Sequence, residues 1–139
     1  MAAFEINYLA VFVSAVVSFF IGMAWYSPFL FGNIWIKLSG ISKTAMEKSK
    51  KKGMALFFIA AFVGGLVMSF VLAHFIDIAG SVTALEGAQT GFWAWLGFIA
   101  PVMLGSVLWE GKSIKLYLIK VLHYLAVLMA MGSILAVWA

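Results

Sequence analysis

Four uncharged stretches constrain this sequence more than any other feature. There are 31 residues between Glu5 and Lys37, 24 between Lys52 and Asp77, 23 between Glu86 and Glu110, and 19 after Lys120. An α-helix rises about 1.5 Å per residue, so roughly 20 residues cross ~30 Å of hydrocarbon. Each stretch is near or above that length, and together they hold 97 of the 139 residues. Charged residues make up 10% of the chain, against about 25% in an ordinary soluble domain. They are too few to coat a water-facing surface. The expected fold is all-α: a polytopic membrane protein with four transmembrane helices in a single domain over residues 1–139.

The expected helices run over about 6–27, 45–77, 88–109 and 114–138. Pro28 removes a backbone donor and crowds the carbonyl of Ala24, which predicts a kink or stop there. The apolar, aromatic residues 29–37 end on Lys37 and suit a segment lying in the interface after the first helix. Thr44 and Glu47 form a capping-box pattern, so the second helix is expected to start at Ala45. Pro101 falls inside the third helix, and Gly111 is placed to end it. The first stretch has no basic flank and is too long for a secretory h-region, so it is read as a retained helix.

The lysines predict the orientation. Lys37, Lys43, Lys48, Lys50, Lys51 and Lys52 lie between the first and second uncharged stretches, and Lys112 and Lys115 between the third and fourth. Glu5, Asp77 and Glu86 lie on the other side, without a lysine. The positive-inside rule places the lysine-bearing loops in the cytoplasm and both termini outside, in the inner (cytoplasmic) membrane. The aromatics agree, with Tyr8, Trp93 and Trp138 at one boundary and Trp25, Tyr26, Trp109 and Tyr117 at the other. Lys48, Lys50, Lys51 and Lys52 are expected to contact lipid headgroups.

Composition also excludes chemistry. Without cysteine there are no disulfides, thiolate metal sites or thiol catalysis. All nine basic residues are lysine, which removes the side chain best suited to clamp phosphate or carboxylate bidentately. The lysines are too few and too local for nucleic acid. The expected partners are membrane lipids, with a homo-oligomer as an open alternative, and no cofactor or metal is expected.

Small residues recur at every fourth position in two helices, as Ala10, Ser14, Ser18, Gly22 and as Ala61, Gly65, Ser69, Ala73. In lipid such stripes mark packing faces. Ionisable groups inside the membrane are where function is sought first. His123 lies about 14 Å into the fourth helix, and Ser18 of the antiparallel first helix sits at about 12 Å. A hydrogen bond between them is one reading. The other is a proton-accepting or ligand-contacting histidine, with Tyr124 beside it and Lys120 one turn below. Lys120 either snorkels to the headgroups or pairs with Glu110. Glu110 sits at a helix C-terminus, where the macrodipole disfavours an acid. It is read as part of a rim ion pair or of a cytoplasmic vestibule. The candidate polar cluster is therefore His123, Lys120, Tyr124, Glu110 and Ser18. His74 and Asp77 share a face but read as a solvated helix end. No phosphate loop, nucleophile elbow or metal-binding helix motif occurs.

Several strings carry a family resemblance: Trp25-Tyr26-Ser27-Pro28 with Leu30-Phe31-Gly32 and Trp35, then Gly91-Phe92-Trp93, Trp95-Leu96-Gly97-Phe98 and Ala100-Pro101. Leu104-Gly105-Ser106-Val107-Leu108-Trp109-Glu110-Gly111 and Met131-Gly132-Ser133-Ile134-Leu135 complete it. The chain resembles a family of small membrane proteins known as domain of unknown function 1761. The resemblance implies four transmembrane helices and one domain, and supplies no reaction, substrate or site. The expected role is a non-catalytic structural or accessory membrane component. The alternatives are a small-solute or proton-coupled transporter or channel acting as a homo-oligomer, and a lipid-modifying membrane enzyme.

Overall fold

The computed structural model describes residues 5–40, 44, 45, 47, 48 and 53–138. Among these residues the only regular secondary structure is helical. Helix α1 spans Tyr8–Trp25, α2 Gly32–Ser39 and α3 Met54–Ala79. Helix α4 spans Ala84–Phe98, followed by the short α5 (Ala100–Met103) and α6 (Gly105–Leu108), and α7 spans Ile114–Val137. Taking α4 to α6 as one run, four helices are long and apolar enough to cross a membrane. They expose large apolar side chains such as Phe20, Leu56, Ile59, Val67, Trp93 and Val102, as a lipid-facing surface does.

Local chemistry explains where the helices begin and end. The Asn7 side chain caps α1 by accepting from the N–H groups of Leu9 and Ala10, filling the orphan donors of the first turn. Thr83 caps α4 by accepting from the Glu86 N–H at 3.1 Å, and the Glu86 carboxylate accepts from Val82 N–H at 3.2 Å. The third crossing therefore starts at Ala84, four residues before the expected Ala88. Gly80, at φ +69°, ends α3 in the left-handed region, with the N–H groups of Gly80 and Ser81 bonded to Asp77 and Ile76 carbonyls. The expected uninterrupted second helix from Ala45 is not formed, because Gly53 has φ +99°, a conformation no right-handed helix contains. Thr44, Ala45, Glu47 and Lys48 are themselves helical, while residues 49–52 of that expected helix lie outside the described residues. Pro101 has no N–H to give to the preceding turn, and the run breaks at Ile99 into α5 and α6.

Helix α7 is the centre of the assembly and packs against α1, α3 and α4, while α1 also packs along α3. The core consists of Ala10, Val11, Leu72, Ala73, Ile76, Val127, Leu128, Met131, Leu135 and Ala136. It lies towards the end of the bundle where the Asn7 amide donates to the Trp138 carbonyl. Lys37, Lys112 and Lys115 lie towards the opposite end. Two of the small-residue stripes meet inside the chain: Ser69 donates to the Val11 carbonyl at 3.0 Å, and a Cβ on Gly65 would come within 2.9 Å of the Ser18 hydroxyl.

The closest approach is between α4 and α7. A Cβ added to Gly87 would overlap the Gly132 carbonyl, and one on Gly91 would overlap that of Leu128. Gly87 and Gly91 are four residues apart, the spacing by which membrane helices bring their backbones together. With lipid tails as apolar as the side chains, this van der Waals seam supplies what hydrophobic burial supplies in water.

Candidate functional site

The lysine end of the bundle is organised by the turn after α1. Ser27 Oγ donates to the Ala24 carbonyl at 2.7 Å, and the Ser27 carbonyl accepts from Leu30 and Gly32. The Phe31 N–H bonds back to the Trp25 carbonyl at 3.0 Å. Gly32 is pressed so closely on this turn that a Cβ would lie 2.8 Å from the Ser27 carbonyl carbon. Trp25-Tyr26-Ser27-Pro28 and the glycine four residues after Pro28 thus make one compact fold-back, and it starts α2, which rests on α7.

That fold-back, together with Tyr124 of α7, walls His123 with aromatic rings. Their centroids lie 4.8 Å (Tyr124), 5.2 Å (Tyr26) and 6.2 Å (Trp25) from the imidazole. Phe31 packs on Trp25 at 4.9 Å and Trp35 on Tyr26 at 5.3 Å. Trp25 Nε1–H donates to the Ile119 carbonyl at 2.9 Å, and Trp95 Nε1–H to the Val121 carbonyl at 2.7 Å. Both indoles bond to the turn of α7 just before the histidine. Both ring nitrogens of His123 are buried and have no hydrogen-bond partner among the described residues.

The expected His123–Ser18 hydrogen bond is not made. Ser18 Oγ donates to the Ala15 carbonyl of its own helix at 2.8 Å and faces Gly65 of α3. The α1 residue opposite His123 is Gly22, whose Cβ would stand 3.4 Å from Nε2. The reason is directional. Side chains lean towards the N-terminus of their own helix. In an antiparallel pair the imidazole and the hydroxyl therefore lean in opposite directions, and equal depth of the two Cα atoms does not bring them together.

Lys120 and Glu110 lie elsewhere. They line an open cleft of about 350 Å³ with Val102, Met103, Ser106 and Trp109, between α7 and the broken end of the third crossing. No ion pair joins them within 4.0 Å. Trp109 is 87% exposed, and Gly111, at φ +68°, turns the chain into α7. Tyr117 Oη donates to the Ala100 carbonyl at 2.7 Å, tying α7 to the segment that Pro101 interrupts. The structure thus joins His123 to Tyr124, Trp25 and Tyr26, joins Lys120 to Glu110 and Trp109, and turns Ser18 away from both groups.

The remaining polar positions are simpler. His74 Nδ1–H donates to the Phe70 carbonyl at 2.8 Å. Asp77, Glu5 and Asn7 border a small cleft of about 130 Å³ at the end of the bundle where Asn7 meets Trp138. No group of three His, Asp or Glu residues able to hold a metal occurs among the described residues. Lys48 is exposed, and Lys50, Lys51 and Lys52 lie outside the described residues. Reading the sequence missed the Gly87–Gly91–Gly132 seam and the indole donors of Trp25 and Trp95. The four-residue glycine spacing was the available signal, hidden because the expected helix start left Gly87 outside.

A family model described as a protein of unknown function, DUF1761, matches residues 9–136. The chain belongs to this family. No curated protein and no solved structure shows a significant match to the chain. The DUF1761 match takes in both the aromatic fold-back at 25–32 and the Trp109-Glu110-Gly111 turn.

Proposed function

We propose that the chain is a multi-pass inner-membrane protein that serves as a non-catalytic structural or accessory component. In this reading the lysine-bearing end faces the cytoplasm, both termini face outward, and α2 lies in the cytoplasmic interface. The charge asymmetry between Lys37, Lys48, Lys112 and Lys115 at one end and Glu5, Asp77 and Glu86 at the other supports the orientation. Phe29, Leu30 and Ile34, exposed beside and on α2, support its interfacial place.

The observation that carries the reading is the dispersal of the ionisable groups. A relay or a reaction needs its polar groups within hydrogen-bond reach of one reacting centre. Here His123 is walled by rings, Lys120 and Glu110 open on another face, and Ser18 is bonded within α1. Purified protein in liposomes is expected to move neither protons nor small solutes above protein-free vesicles. Uptake that disappears in His123→Ala would overturn the reading.

A second reading, a proton-coupled or small-solute transporter working as a homo-oligomer, is favoured by one observation. The two His123 nitrogens are buried without a partner, and a buried polar atom in that state calls for an explanation.

A further inference from the structure

We infer that the cleft between α7 and the broken end of the third crossing is a binding site for one phospholipid with a zwitterionic, primary-amine headgroup, of the phosphatidylethanolamine class. Its volume of about 350 Å³ falls at the lower end of small-ligand pockets, about 300–1,000 Å³. Its lining is divided by chemistry: Val102 and Met103 are apolar, Lys120 is a cation, and Glu110 is an anion. The two charges do not pair with each other within 4.0 Å, so each presents its hydrogen-bonding capacity to an occupant.

The position selects a lipid over a soluble ligand. Val102 is 72% exposed and Leu108 63% exposed, so the cleft opens beside an apolar, lipid-facing surface. Lys120 is six residues into α7, about 9 Å along the axis. Its ammonium meets the phosphate level when the apolar stem extends towards the helix end. An acyl chain then continues along Val102, and Glu110, beyond the last turn of α6, stands on the headgroup side.

The charges select the headgroup. A phosphate diester oxygen accepts from the Lys120 ammonium, and the lipid's own ammonium donates to the Glu110 carboxylate. Each charge then has a partner of opposite sign in the headgroup layer. An anionic glycerol headgroup satisfies Lys120 but leaves Glu110 facing added negative charge. A choline headgroup carries no N–H for Glu110, although the exposed indole of Trp109 can attract either cation. The inference goes beyond an accessory role and does not depend on which side of the membrane the lysine end occupies.

The test is lipid retention by the full chain, delipidated in detergent and then offered equimolar phosphatidylethanolamine, phosphatidylcholine and phosphatidylglycerol with identical acyl chains. Native mass spectrometry reads the bound lipid. The wild type is expected to retain phosphatidylethanolamine about tenfold over phosphatidylcholine, the factor one charge-assisted hydrogen bond provides. Glu110→Gln is expected to reverse the preference towards phosphatidylglycerol, and Lys120→Gln to lower retention of all three lipids. Lys120→Arg should keep the wild-type order, and Lys37→Gln, on α2, should change nothing. Soluble phosphoethanolamine that displaces the lipid at equal concentration would assign the site to a free phosphoamine and overturn the lipid inference. Equal retention of the three lipids by the wild type, an unchanged order in Glu110→Gln, or undiminished retention in Lys120→Gln would also overturn it.

Discussion

Replacing Gly91 by alanine puts one methyl group into the seam between α4 and α7. The new Cβ would lie 2.6 Å from the Leu128 carbonyl carbon and 3.1 Å from the Met129 nitrogen. Carbon atoms pack best at about 3.5–4.0 Å, so the two helices must part by about 1 Å. A gap of that order forfeits roughly a quarter to a half of the dispersion energy along the seam. Overpacking typically costs ~1–3 kcal/mol when side chains can yield. Here the obstacle is backbone, so the upper end applies, offset by at most ~1 kcal/mol from the better helix propensity of alanine. The expected net loss is about 2 kcal/mol. Gly97, on the same helix, has nothing within 4 Å of its Cβ position, and Gly97→Ala should be neutral or stabilising by up to ~1 kcal/mol. Thermal unfolding of both variants in one detergent, followed by circular dichroism, measures the difference. Equal melting of Gly91→Ala and wild type, or equal loss in Gly97→Ala, would refute the close-packed seam.

Three further outcomes follow from the lysine end. His123→Phe removes two unpartnered nitrogens and should leave stability unchanged or raise it, since leaving a buried polar atom unpaired costs ~1–3 kcal/mol; a lower melting temperature would mean that the imidazole has a partner. Trp25→Phe deletes the bond to the Ile119 carbonyl at about 1 kcal/mol, whereas Trp109→Phe, at a site 87% exposed, should be silent in the same melt. Gly32→Ala presses a methyl into the Ser27 carbonyl and should open the fold-back, seen as a red-shifted tryptophan emission once Trp25 meets solvent.

The four crossings were legible because hydrocarbon leaves a chain few options: an uncharged run of the right length must be helical. The capping residues were legible only in part. Thr83 and Glu86 carry the sequence pattern of a helix start, but Glu86 also looks like the charged boundary of the stretch after it, and that moved the expected start past Gly87. The candidate cluster came apart for a geometric reason. Lys120 and His123 are three residues apart, which turns a helix by about 300° and leaves them about 60° from each other. In this packing that angle directs one towards the interrupted third crossing and the other towards α1. Depth along the axis is readable from residue counts, but the facing neighbour is not. The strings that carry the family resemblance acquire physical roles only in three dimensions, where Ser27 and Gly32 close a turn that places Trp25 and Tyr26 around His123.

The most direct test of the account is whether His123 is in contact with water. The sequence has no cysteine, so a single introduced thiol reports alone. A membrane-impermeant maleimide applied separately to each face of sealed vesicles should label Glu110→Cys from the cytoplasmic face only and leave His123→Cys unlabelled from both. Labelling of His123→Cys at a rate comparable to that of Glu110→Cys would reveal a hydrated path to the imidazole and contradict a dispersed, non-transporting arrangement.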